Sequence, residues 1–453
     1  VAKTNSSSKR APIFTYEGAR AAHANPVQQL RRLTMAHMLW EDQFYVDGKS
    51  SAELLAQAVK DCKPADVLEI AIEAREKQHL RHVPLFLVRE VARDSSKLKD
   101  KGLVAETLGR VIQRADELAE FLSIYWKDKR QPLSAQVKKG LAMAFTKFGA
   151  YQLAKYNRDN AVKLRDVLFL CHAKPRDKEQ AGVWAKLVEG TLEPPDTWEV
   201  ALSAISKDNK ASRREVWTRL LAGEKLGGLA FLRNLRNMRE DEMSDAYIAG
   251  AFEQVNFNRV LPFRFVAAAI HNPTLEPAIE VAMLRACESL PRLAGKTALV
   301  VDNSGSMYHA KISAKSELER IDAACALAIM AREVCEDIVV LSYSTKPSIV
   351  PARRGFALRD AIKAACTPNS TNTQDAIFAA AEQGYDRIIV ITDEQSHQRI
   401  SNPLVATSAY IINVAAYRNG IGYGQGFVTV DGWSENTLAF IGQLEEGESG
   451  SGE

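Results

Sequence analysis

Through the first two thirds of the chain, apolar residues recur at three- and four-residue spacing. Leu103, Leu108, Val111, Ile112, Leu118, Phe121 and Leu122 form one such run, and each run fits the buried face of an α-helix. The pattern extends from about Ala19 to Leu290 and breaks at Pro26, Lys63-Pro64, Gln131-Pro132, Lys174-Pro175, Pro194-Pro195 and Asn272-Pro273. Proline lacks an amide donor and restricts the residue before it, so each break is predicted to end a helix. Ser134 and Thr197 stand where a side-chain oxygen would cap the helix that follows. About a dozen helices without strand-like alternation predict an α-solenoid or large helical bundle, with repeats that are degenerate and at most HEAT-like.

The period then changes. Thr297–Asp302 is a short, continuous apolar run of the kind buried on both faces of a parallel sheet, and similar runs recur at Asp337–Tyr343, Arg387–Thr392 and Ala409–Ala415. Helical segments are predicted between them, at Ile321–Glu333, Leu358–Ala365 and Asp375–Gln383. Strand and helix alternating at this spacing predict an α/β doubly wound parallel sheet, with ligands at the carboxyl ends of its strands. The expected plan is a flexible N-terminus (1–18), a helical domain (19–290), a linker (291–295), the α/β domain (296–443) and a disordered tail (444–453) rich in Gly, Ser and Glu.

Composition narrows the function classes. With 46% hydrophobic and 25% charged residues the chain reads as an ordinary globular protein. Its six cysteines form no CxxC pair, against a disulfide framework or a structural zinc site. No apolar run approaches the ~18 residues needed to span a bilayer, so a cytoplasmic protein without membrane contact is expected. The net charge of +3 is unevenly placed: residues 1–290 hold 45 Lys and Arg against 37 Asp and Glu, and residues 291–453 hold 14 against 19. The steepest stretch, Lys127–Lys178, has 13 basic residues against four acidic ones, enough to attract a polyanion by counterion release. Solvated helix faces carry similar charges, so charge alone leaves nucleic-acid binding as one of two readings.

Three segments bring oxygen donors to one sheet edge. Asp302 ends the first predicted strand, and the turn Asp302-Asn-Ser-Gly-Ser306 sets Ser304 and Ser306 on alternate residues. Thr371 lies in the polar loop Pro368–Thr373, and Asp393 ends a later strand. Hard oxygen ligands with few carboxylates suit Mg²⁺, which keeps several of its waters. The competing reading is that Asp302 and the serines cap the next helix. The segment resembles a von Willebrand factor A domain, whose metal-ion-dependent adhesion site is DxSxS, then Thr, then Asp. The resemblance implies a cation held by Asp302, Ser304, Ser306, Thr371 and Asp393. Many such domains place Gly-Gly before the threonine and Asp after it. Here Asn369-Ser370 and Asn372 stand instead, leaving Thr371 and Thr373 both open as the threonine that faces the ion.

The segments Tyr151–Asp159, Leu164–Leu168 with His172–Pro175, Phe231–Met238 and Arg259–Arg264 look like the TROVE module of the Ro autoantigen family, in its bacterial form. The resemblance covers about residues 10–443. It implies HEAT-like repeats closed into a ring with the A domain, Y RNA on a basic outer surface, and single-stranded ends of misfolded or precursor non-coding RNA, ribosomal RNA included, in a central hole. It also implies a non-catalytic, monomeric scaffold for RNA quality control, working with exoribonucleases such as polynucleotide phosphorylase. The family's Y RNA contact segment falls on Lys155–His172, so Lys155 and His172 carry over. Asp159, beside Arg158, replaces a basic residue of the vertebrate pattern. Lys138, Lys139, Lys155, Arg158, Lys163, Arg165, His172 and Lys174 are the candidate outer contacts. Arg233 and Arg236, with Arg239 next in the series, are candidates for the hole or for pairing with Glu240, Asp241 or Glu242. Tyr151 and Tyr156 are expected in the core. A metal-dependent adhesion scaffold without RNA is the alternative, followed by a Mg²⁺-dependent phosphotransferase or nuclease. Against an enzyme, Ser304 stands where a second Asp would, and neither a P-loop nor a His-Ser-Asp set is present.

Overall fold

The structure is a computed structural model. It describes residues 25–36, 48–94, 96, 98–223, 226–258, 260, 262–288, 290–308, 311, 318–396, 400–401, 408–414 and 426–431, together with 437, 438, 441, 442 and 445. The chain divides into two compact units, one of residues 26–42 and 47–289, the other centred on residues 290–453.

Among the described residues the first unit is all helix. Sixteen α-helices and one 3₁₀ turn run from Pro26 to Glu288. The number exceeds a dozen because several helices, such as Ala150–Tyr156, Trp198–Ser203 and Asp245–Ala251, are only one or two turns long. The proline breaks fall as expected: Pro64 opens the helix Pro64–Glu76 behind an extended Lys63. The caps form as well, with Ser134 accepting from the Val137 amide at 3.3 Å and Thr197 from Val200 at 3.3 Å. Leu108, Phe121 and Leu122 are fully buried in one apolar cluster that runs from Leu30 to Leu187. The helix Gly102–Val111 crosses Ala135–Phe145 at Gly140, where an added Cβ would lie 2.9 Å from both the Ala105 carbonyl and Leu108 Cβ; the close approach requires glycine.

The second unit is built on a six-stranded sheet. Its strands are β1 (Leu293–Asp302), β2 (Cys335–Tyr343), β3 (Pro347–Ile349), β4 (Arg387–Thr392), β5 (Ser408–Asn413) and β6 (Val428–Asp431), in the order β3-β2-β1-β4-β5-β6. Every pairing is parallel except that of β2 with β3. The helix Arg320–Val334 packs on β1 and β2, and Thr373–Ala381 on β1, β2 and β4. β1 starts at Leu293, inside the expected linker 291–295, with an irregular register between Leu293 and Lys296. Ala294-Gly295-Lys296 carries no apolar run, so this part of the strand was invisible to the pattern. β3 and β6 were not foreseen either, being three and four residues long. Glu445, placed in the expected tail, accepts from Arg387 Nε at 2.7 Å and Tyr410 OH at 3.0 Å. Residues 446–453 and the expected flexible segment 1–18 lie outside the described residues.

One ion pair is buried in the helical unit. Arg75 Nη2 lies 2.7 Å from Glu117, whose side chain is fully enclosed and also accepts from the backbone amides of Gln113 and Arg114. Glu117→Ala strands a buried guanidinium, and a loss of roughly 3–5 kcal/mol is expected. Urea unfolding checks it; a loss within the range of surface substitutions contradicts the assignment.

Candidate cation site and basic helical surface

From β1 the chain runs outward to β2 and β3, then returns to β4 on the other side of β1. The carboxyl ends of β1 and β4 therefore flank the point where strand order reverses, and crevices in open α/β sheets form there. β1 and β4 end in Asp302 and, one residue past Thr392, Asp393; both side chains are fully buried.

Asp302 is supported on both oxygens. Oδ1 accepts from the Ser304 amide at 2.9 Å, while Oδ2 accepts from Thr392 Oγ1 at 2.6 Å and Tyr343 OH at 3.2 Å. Asn303 fixes the turn, its amide donating to the Tyr343 carbonyl at 2.7 Å and its Nδ2 to Ile362 at 2.9 Å. Gly305 N donates to the Asn369 carbonyl at 3.0 Å, tying the DxSxS turn to the threonine loop. Ser306 Oγ donates to Asp393 Oδ2 at 2.7 Å, so at the 3.3 Å contact between Ser304 and Ser306 the proton comes from Ser304. Asp393 Oδ1 accepts from Gln395 N at 3.2 Å, and Glu394 turns the backbone beneath it with a φ of +56°. Helix capping accounts for none of the Ser306 geometry, because its hydroxyl is directed at Asp393 rather than at a helix amide.

Thr371 and Thr373 are both buried. Thr373 opens the helix Thr373–Ala381, and its hydroxyl is 3.1 Å from Tyr343 OH. With Thr373 engaged by Tyr343, Thr371 is the candidate donor; its loop is held by Ser396 Oγ donating to the Thr371 carbonyl at 3.3 Å. Among the described residues no group of three or more His, Cys, Asp or Glu side chains is arranged to hold a metal. This set has two carboxylates and three hydroxyls, a donor chemistry that fits a hard ion retaining water, such as Mg²⁺ or Mn²⁺, and not a softer metal that takes imidazole or thiolate. Tyr343, Thr392 and Arg320 belong to the site and were not singled out in the sequence. Arg320 Nη1 lies 3.5 Å from Asp393 Oδ2.

The basic stretch lies in the other unit. Its four acids are engaged locally. Asp128 pairs with Arg93 at 2.8 Å and with Arg89, and Asp159 with Lys163 at 2.5 Å. Asp166 caps its helix through the Lys163 amide, and Asp177 accepts from Gln180 N at 2.8 Å. Lys139, Arg158, Arg165, His172 and Lys174 are exposed, and Lys138, Lys155 and Lys163 half-buried. His172 ends the helix Leu164–Cys171 in a left-handed conformation, φ +53°. Two aromatic rings stand out among them: Tyr151 is 54% exposed and Phe169 59%. Tyr151 is thus not a core residue as expected, and Lys155 Nζ sits 5.8 Å from its ring and from that of Tyr156. Phe169 was overlooked, although it falls off the buried stripe Leu164, Val167, Leu168 and Cys171. Arg233 and Arg236 are exposed on the helix Gly228–Glu240. Arg236 pairs with Glu240 at 3.3 Å and Arg239 with Asp245 at 3.0 Å, so pairing accounts for two of the three arginines.

The family model described as the TROVE domain matches residues 173–333, which reach from the later helices of the first unit through β1 into the helix Arg320–Val334. The resemblance to the Ro family read from the sequence is borne out by this match. Among solved structures the chain is similar to the RO (RSR) protein of Deinococcus radiodurans, with a TM-score of 0.61 and 17% identity over 93% of this chain and all of that one. At that identity the likeness is one of fold. No curated protein matches the sequence. Among the described residues no helix is long and apolar enough to cross a membrane.

Burial, and then the nearby Asp393 carboxylate, push the Asp302 carboxyl from an ordinary 3.8 up to about 6. The folded protein keeps this proton where the unfolded chain has lost it. Its contribution to stability is full below about pH 3.8 and is lost as the pH rises through about 6. In chelator, Asp302→Asn should gain melting temperature relative to the parent protein as the pH rises from mildly acidic to neutral. A difference that stays constant with pH contradicts the assignment.

Proposed function

We propose that this is a non-catalytic RNA-binding scaffold of Ro type. The observation that carries the reading is the state of the basic stretch: its acids are tied up in caps and ion pairs, while cationic side chains and two exposed aromatic rings face solvent together. Ammonium and guanidinium groups meet phosphates there, and Tyr151 and Phe169 offer faces for unpaired bases. On this reading the outer surface around Lys155, Arg158, Arg165 and His172 takes a folded Y-type RNA. Single-stranded ends of misfolded or precursor RNA enter the hole of a HEAT-like ring, with an exoribonuclease acting on what is presented.

The α/β unit serves as a von Willebrand factor A-like docking module. The hydroxyls of Ser304, Ser306 and Thr371 and the carboxylates of Asp302 and Asp393 would hold Mg²⁺, which when bound supplies a Lewis-acid contact for an acidic group of a partner protein. The chain itself supplies the rigid turn, the buried charge and the exclusion of bulk water.

Lys155→Glu combined with Arg165→Glu should weaken binding of a structured RNA at least tenfold. It should also flatten the dependence of log K on log salt by about 0.7–0.9 for each phosphate that is no longer neutralised. Filter binding over a salt series reads both, and unchanged affinity at physiological salt contradicts the surface. RNA shortening that requires Mg²⁺ and disappears in Asp302→Ala would instead favour a nuclease.

A further inference from the structure

Arg320 is only 4% exposed, and its guanidinium approaches the same Asp393 oxygen that accepts from Ser306. It is the first residue of the helix Arg320–Val334, behind a capping box in which the Glu319 amide donates to Asp322 at 3.0 Å. That is a poor place for a cation on helix grounds, since the amino end of a helix carries partial positive charge and favours acids. Burial of the guanidinium adds a desolvation cost. Its 3.5 Å approach to the buried Asp393 carboxylate offsets part of both costs.

Asp302, Asp393 and the neighbouring Glu394 are all fully buried, and a divalent cation approaching Asp393 meets the guanidinium there as a like charge. We infer that Arg320 is a built-in competitor of the divalent cation, holding Asp393 in the cation-free protein and keeping cation affinity low. This rests on the cation-site reading above. It adds that the chain's own guanidinium sets the cation concentration at which the site fills.

The test is Mg²⁺ titration by calorimetry and thermal shift at neutral pH, on RNA-free full-length protein. Arg320→Gln should bind Mg²⁺ at least about tenfold more tightly than the parent, as expected for removal of a nearby like charge in a partly buried site. Arg320→Lys, which keeps the charge, should stay close to the parent. Equal or weaker binding by Arg320→Gln, with the parent still binding, overturns the role of Arg320 and leaves the cation site standing. Absence of Mg²⁺ binding in all three proteins overturns both. If Arg320→Gln fails to fold by circular dichroism, arginine side-chain NMR of the parent decides the matter. The Arg320 signal, identified by its loss in Arg320→Lys, should shift on Mg²⁺ saturation, and an unmoved signal overturns the proposal.

Discussion

Two carboxylates enclosed at the end of a parallel sheet constrain everything around them. Removing Asp302 and Asp393 from water is costly unless each oxygen finds a donor or a positive charge. The fold answers with donors from the turn after β1, the loop after β4, two strands and a helix start: the Ser304 amide, Thr392 and Tyr343 on Asp302, and Ser306, Gln395 and Arg320 on Asp393. These bonds leave a residual negative charge beside a row of hydroxyls. Burying an acid pair costs more than packing apolar residues in its place, and that cost is what the proposed cation would offset.

The helical unit solves a different electrostatic problem. Its acids are drawn inward, as with Glu117 beneath Arg75 and Arg81, or held at helix starts, as with Asp166 and Asp177. Basic residues are left over on the surface between Lys138 and Lys174. The small net charge of the whole chain hides this separation, because the α/β unit carries an acidic excess of its own.

What the sequence disclosed follows from how local each signal is. Asp302 and Asp393 were legible because each closes a continuous apolar strand, and Ser134 and Thr197 because capping depends on a few adjacent residues. Tyr343 and Thr392 were not, since only strand pairing sets Tyr343 opposite Asp302 and brings the end of β4 alongside β1. Arg320 lies 73 residues from its partner Asp393 and joins it only through packing of its helix. Tyr151 was misread because its short helix buries little besides Leu153 and gives no stripe from which to judge a face. Phe169 could have been found by the same periodicity that located its helix.

The account depends most on the oxygen cluster at the β1 and β4 ends being a cation site. Crystals grown with Mn²⁺ in place of Mg²⁺ and measured for anomalous scattering test this directly. The account predicts one strong peak among the Ser304, Ser306 and Thr371 hydroxyls, beside Asp302 and Asp393. A featureless anomalous map there, with the Ser306 and Arg320 contacts to Asp393 unchanged, would contradict it.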